Sequence, residues 1–334
     1  MFAIKPERTF YTLEVTLDVT TLDAVKPDQP VPTSIQFWDR ASDQPHWILT
    51  GHGHSVTSVA ISHDSRLLAS GSADYTIRLW SLTTGHVLQT LYGNGKIWSA
   101  AFSHDSKLLA SSSSNSRIQL WNLATGELQH ALDGHENGVY SVVFSHDSTL
   151  LASAGSDHTI RLWDTTAGQL HRILRGHSSV GISLAFSGDS RLLAAGSISG
   201  PVWLWDPTTG QLQQTLRGHL GRVPSLCFLY NSTILASASW DGTVRLWDVA
   251  TGQERHALKE EPSVVCAAAF SHDSKLLASV SYDGTIRLWD TTTAQVRRTL
   301  NHPGRRWSAV FSPDSRILVS ASSNKTIRVW KTNG

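Results

Sequence analysis

Residues 134–175, GHENGVYSVVFSHDSTLLASAGSDHTIRLWDTTAGQLHRILR, decide the fold. GVYSVVFS (138–145) alternates apolar and small residues, HDS turns the chain, and TLLASAG (149–155) reads as a second strand. SDH then leads into TIRLW (159–163), and TTAG into QLHRIL (169–174). Short runs with period-two alternation, joined by tight polar turns, make an antiparallel meander of four strands. One such sheet leaves apolar side chains on both faces, so it needs a neighbour on each side.

The neighbours are written along the chain. Trp38, Trp80, Trp121, Trp163, Trp205, Trp247, Trp289 and Trp330 follow one another at intervals of 41 or 42 residues, and five of them precede Asp. FSHDSKLLAS stands at 102–111 and again, letter for letter, at 270–279, with FSHDSTLLAS at 144–153. Gly-His opens several units, at Gly51-His52, Gly134-His135, Gly176-His177 and Gly218-His219. A period near 42 that closes on Trp-Asp is the mark of a propeller blade. Over about residues 46–334 the chain resembles the WD-repeat β-propeller family, and its near-identical copies are similar to propeller arrays attached to fungal NACHT-type signalling NTPases. The expected fold is therefore all-β: a seven-bladed propeller of four-stranded antiparallel blades stacked around an axis, which leaves no long free edge.

The tryptophans from Trp80 to Trp330 count seven blades, and the chain stops four residues after Trp330, before a last outer strand. HWILTGH (46–52) has the form of that strand, so the N-terminal side is expected to complete the last blade and close the ring. Residues 1–45 form a separate extension, with five of the eleven prolines and none of the 24 glycines. SIQFWD (34–39) keeps the repeat's phase and 8–22 alternates like an amphipathic strand. These residues leave three readings: a degenerate repeat along the propeller wall, which is favoured, a docking segment, or an eighth blade.

Composition narrows the function. With 334 residues, Lys+Arg 28 against Asp+Glu 27 lacks the basic excess of a phosphate-gripping nucleic-acid binder. Cys227 and Cys266 make neither a disulfide framework nor a CxxC pair. MFAIKPERTF is no signal peptide, and no apolar run approaches the ~20 residues of a membrane span. An intracellular protein, cytoplasmic or nuclear, with no membrane insertion is expected.

The resemblance implies a hydrogen-bonded tetrad of His, Ser, Asp and Trp in each blade. The sequence matches it in blade one (His52, Ser70, Asp74, Trp80), blade three (His135, Ser153, Asp157, Trp163) and blade five (His219, Ser237, Asp241, Trp247). Blade two has Asn94 and Asn115, blade four Ala195 and Ser199, blade six Glu261 and blade seven Asn324 in tetrad places. Three copies on three blades argue for structure rather than for a catalytic triad, which needs a single pocket.

No catalytic, metal or cofactor site emerges. The first strands, expected to line the channel, contain no Asp, Glu or His. His63, His104, His146 and His272 occupy one turn on different blades, a placement expected to hold them too far apart to share an ion. GNGK (93–96) lacks the frame of a phosphate loop.

Comparing the units with one another separates frame from variable positions. LLAS and IRLW barely change, whereas positions at one end of the blade change greatly. They bring Trp98, Tyr140, Trp240, Tyr282 and Trp307 together with Lys96, Arg222 and Arg305. In the family that end, the top face, commonly holds the partner. Aromatic residues with arginine are the composition of interface hot spots. The expected function is a non-enzymatic scaffold or adaptor, within a multiprotein complex, that binds a protein or an acidic or phosphorylated peptide. The rivals are a structural subunit held by its blade sides and a propeller hydrolase.

Overall fold

The computed structural model describes residues 46–175, 179–259, 263–304 and 306–332, without the side chains of 306 and 307. The three readings of residues 1–45 and the placements of His177, Glu261 and Arg305 lie outside the described residues. Strand β1 (Trp47–Leu49) comes first, followed by β2 (Val56–Ile61), β3 (Leu67–Ser72), β4 (Thr76–Ser81) and β5 (Val87–Tyr92), which pair in that order as blade one. The same four-strand meander recurs through β6–β25, from Ile97 to Asn301. Blade seven consists of β26 (Arg306–Phe311), β27 (Ile317–Ser322) and β28 (Ile327–Lys331) plus β1 on its outer edge.

That last pairing closes the ring as the sequence led us to expect. Trp47, Ile48 and Leu49 lie opposite Val329, Arg328 and Ile327 in antiparallel register. The innermost strands are β2, β6 (Ile97–Phe102), β10 (Val139–Phe144), β14 (Gly181–Phe186), β18 (Ser225–Phe228), β22 (Val265–Phe270) and β26. Each touches the next, and β26 touches β2.

The core is laid down between blades rather than at one centre. The layer joining blades seven and one gathers Trp47, Leu49, Val59, Leu68, Trp80 and Val329. The second strand of each blade packs on both faces and is almost wholly buried, as in LLASAG (150–155). Small Ala and Ser side chains there let neighbouring sheets approach, which is why LLAS hardly varies.

The repeated SHDS turn is equally constrained. Ser145 Oγ donates to Asp147 Oδ1 at 2.6 Å and accepts from Leu150 N–H at 3.0 Å. Ser148 follows at φ 61°, a left-handed conformation, and its Oγ accepts from Asp105 N–H of the preceding blade at 3.2 Å. Glycine would take that φ more easily. Serine supplies in addition a hydroxyl that ties two blades together. Ser106 and Ser190 do the same for His63 N–H (3.1 Å) and His146 N–H (2.8 Å).

Leu49 is buried in the closing strand and Leu88 is exposed on an outer one. We expect Leu49→Ala to cost about 2–4 kcal/mol and Leu88→Ala within about 0.5 kcal/mol, measured by urea unfolding.

Candidate functional site

The three matched tetrads are continuous hydrogen-bond chains. Trp163 Nε1–H donates to Ser153 Oγ at 2.8 Å, and Ser153 Oγ lies 2.7 Å from His135 Nε2. His135 Nδ1 lies 2.9 Å from Asp157 Oδ2. Blade one gives 2.7, 2.7 and 2.9 Å, and blade five 2.7, 2.7 and 2.8 Å, for the same contacts. Only one direction satisfies every group: indole to serine, serine to imidazole Nε2, imidazole Nδ1–H to carboxylate. Burial lowers the basicity of His135 and His219 despite the adjoining aspartates, which leaves Nε2 free to accept. Burial alone would raise the Asp157 carboxyl, but His135 and Thr159 hold it below its ordinary value. The serine hydroxyls are buried and engaged on both sides, so they are positioned as frame and not as nucleophiles.

The unmatched blades keep part of the chain. In blade two Trp121 Nε1–H reaches Ser111 Oγ at 3.1 Å, while Asn115 Nδ2–H donates to Asn94 O at 2.8 Å. In blade seven His302 Nδ1 meets Ser320 Oγ at 2.8 Å, and Asn324 stands in the aspartate place. Blade four has Ala195 in the serine place.

One set of variable side chains on the top face, that at the start of the first strand, is placed by a backbone device. Pairing of the first two strands shifts register between Val56 and Ser58, Ile97 and Ser99, Val139 and Ser141, Gly181 and Ser183, and Val265 and Ala267. The residue left over at each bulge is Thr57, Trp98, Tyr140, Ile182 or Cys266, which is the variable position. A β-bulge releases one residue from the ladder and re-aims its side chain. Blade five lacks the bulge, for Pro224 has no N–H to pair and β18 begins after it.

Two pairs of the predicted residues meet. Trp98 stacks on Tyr140 of the next blade with centroids 4.8 Å apart and an 8° interplanar angle. Gly138 leaves room for this, since a Cβ there would lie 2.7 Å from the Trp98 ring. Arg222 sits over the Trp240 ring at 4.9 Å from its centroid, and Trp240 is 42% exposed. Lys96 is exposed and Tyr282 half-buried. Arg305 and the Trp307 side chain lie outside the described residues.

The repeat-by-repeat reading passed over Leu220, which is 90% exposed and whose N–H donates to Oδ2 of Asp241, the residue after Trp240, at 3.1 Å. The residue after Gly-His is Gly53, Glu136, Ser178 and Leu220 in successive copies, so the same comparison held the signal. Ile198, at the variable position of blade four, is also exposed.

One expectation is corrected at the opposite, bottom end. The rings of His63 and His104 lie 3.8 Å apart, as do those of His104 and His146. Their turns end the innermost strands, where adjacent blades converge, so a repeat of about 42 residues becomes a short gap in space. Among the described residues no three or more His, Cys, Asp or Glu side chains are placed to hold a metal ion. Also among them, no helix is long and apolar enough to cross a membrane.

A closed ring of seven four-stranded blades, framed by Trp–Ser–His–Asp chains, defines a seven-bladed β-propeller built from sequence repeats. The chain belongs to the WD-repeat family: the family described as WD domain, G-beta repeat matches residues 43–81, 85–122, 126–164, 168–206, 210–248, 252–290 and 294–331. The chain is 44% identical to Cross-pathway control WD-repeat protein 2 of Flammulina velutipes over 57 residues, 16% of this chain and 18% of that protein. It is 52% identical to Small ribosomal subunit protein RACK1 of Dictyostelium discoideum over 40 residues, 12% of each. The aligned stretches thus span less than a fifth of either relative.

Removing the Ser153 hydroxyl leaves the Trp163 N–H and His135 Nε2 without partners. At about 1–3 kcal/mol for each unsatisfied group, Ser153→Ala is expected to lose about 2–6 kcal/mol in urea unfolding. Hydrogen exchange should show slower amides in blades one, three and five than in blades two and four.

Proposed function

We propose that this chain is a non-enzymatic interaction platform that holds a protein or peptide segment on its top face. The carrying observation is the Arg222–Trp240 pair, a guanidinium on a partly exposed aromatic ring, with the exposed Leu220 two residues before Arg222 in the same loop. This grouping suits a segment with an apolar anchor and a nearby carboxylate or phosphate, because arginine meets such groups through paired hydrogen bonds. Lys96 and the Trp98–Tyr140 stack extend the surface across blades two and three.

A role without catalysis is supported by the tetrads, whose serines, histidines and aspartates are taken up by one another. The innermost strands contribute no carboxylate or imidazole. One relative's name places that protein on the small ribosomal subunit. By that analogy we place this chain inside the cell, as a member of a multiprotein complex.

The test compares native-extract partners of the wild type with those of Trp240→Ala/Arg222→Glu and of Trp98→Ala/Tyr140→Ala. A blade-side variant, Leu88→Asp/Leu170→Asp, serves as the contrast. With melting temperatures within a few degrees, loss of specific partners by the top-face variants alone is expected. Loss by the blade-side variant alone would instead mark a structural subunit held through its edges.

A further inference from the structure

We infer that the closely packed, tilted imidazoles of His63, His104 and His146, together with His272, form an acid-sensitive latch at the bottom mouth of the channel. Their protonation on mild acidification drives the turns of blades one to three apart and opens that end.

The geometry comes first. His104 stands between His63 and His146 at 3.8 Å from each, with interplanar angles of 41° and 36°. His104, His146, Tyr230 and His272 share a cavity of about 120 Å³ with Phe186 and Phe228. Gly188, Tyr230 and Pro313 occupy the histidine position in blades four, five and seven, so the close packing is confined to one arc of the ring. The serine ties from Ser106, Ser148 and Ser190 join these same turns. Spreading the imidazoles therefore breaks ties between blades.

The surroundings offer little to offset added charge. The Nδ1 atoms of His63 and His104 are buried and have no hydrogen-bond partner among the described residues. Six of the seven turns carry an aspartate, Asp64, Asp105, Asp147, Asp189, Asp273 or Asp314, and the blade-five turn has Asn231. Those carboxylates accept from their own turn, as Asp64 does from Ser62 Oγ (2.6 Å) and Arg66 N–H (3.1 Å). Lys107 pairs with Asp105 at 3.3 Å, and Arg66, Arg191 and Lys275 lie 3.9–4.0 Å from theirs. Arg316 adds positive charge beside Asp314, while Asp147 has Thr149 in that place. The aspartates oppose the effect of burial in part, Asp64 acting on His63, Asp147 and Asp189 on His146 and Asp314 on His272, but burial outweighs them, and two adjoining imidazolium ions would face each other across a short, partly desolvated gap.

Burial and mutual proximity act on these imidazoles in the same direction. Burial, then His272 and His146, bring His63 down from 6.5 to about 4. Burial, then His63 and His146, bring His104 down to about 3. Burial also lowers His146 and His272. A histidine whose folded value lies below its unfolded one contributes its full stability above 6.5. That stability is lost as pH falls from 6.5 toward the folded value. The loss sets in below pH 6.5 and continues down to about 4 for His63 and about 3 for His104.

Burial lowers the basicity of the tetrad residues His135 and His219 in the same direction, so a global melt does not isolate the latch. Local hydrogen exchange does. On the full chain at pH 7.5 and 5.5, corrected for intrinsic rates, amides of 62–67, 103–108 and 145–150 are compared with 187–192 and 229–234, which lack the histidine. The expected result is an acid-induced opening at least about tenfold larger in the first three turns, the factor that one pKa unit supplies. His104→Phe, which keeps a stackable ring that cannot be protonated, should shrink that difference. If it does not fold, His104→Asn replaces it, and the wild-type comparison between blades decides alone. An equal response in all five turns would overturn the latch, as would an undiminished response in the variant. So would Zn²⁺ at pH 7.5 slowing exchange in the histidine turns alone, which would make the cluster a metal site.

Discussion

A sheet that is apolar on both faces cannot be the end of anything. Each blade here buries both faces against neighbours, and the chain satisfies this by curving until the last blade meets the first. Closure rests on three residues, Trp47–Leu49, added in register to the outer edge of blade seven. A blade assembled from both ends of the described chain keeps the two terminal sheets from parting separately. The small residues of the second strand and the inter-blade apolar layers follow from that requirement.

Polar groups caught in those layers then need partners. The buried indole of Trp163 finds Ser153, the serine finds His135, and the imidazole finds Asp157. Between blades, Ser58 Oγ accepts from Ala100 N–H at 3.0 Å, and Ser183 Oγ donates to Val223 O at 2.8 Å. The outer rim has its own ties, with Arg172 donating to Thr209 O at 3.0 Å and His130 Nε2 lying 3.1 Å from Thr166 O. Serine is abundant because a short hydroxyl reaches the backbone of an adjacent blade without forcing the sheets apart.

The two ends of the ring use this frame differently. At the top, bulges free one residue from the ladder in every blade but the fifth, and the frame tolerates variation there, from Thr57 to Trp98 to Ile182. Recognition can change at such positions while the sheets stay paired. At the bottom, the tight SHDS turn is held by its own hydrogen bonds and varies little. Copying it around a narrowing channel brings like side chains together, and four imidazoles accumulate where a single blade would have placed one.

Fold, blade count, ring closure and the identity of the tetrads were legible in the sequence. A 42-residue period, a terminal tryptophan and a missing outer strand are one-dimensional signals of local structure. The variable positions of the top face were legible too, because repeats compared with one another report what the frame does not constrain. Tertiary structure alone decided which of them meet: Trp98 on Tyr140 across a blade boundary, and Arg222 over Trp240 within one blade. It alone brought His63, His104 and His146 into contact, reversing the distance that spacing suggested. The reason is geometric. Sequence separation records the path along the meander, whereas proximity depends on where each turn falls relative to the axis, and that radius exists only once the ring has closed.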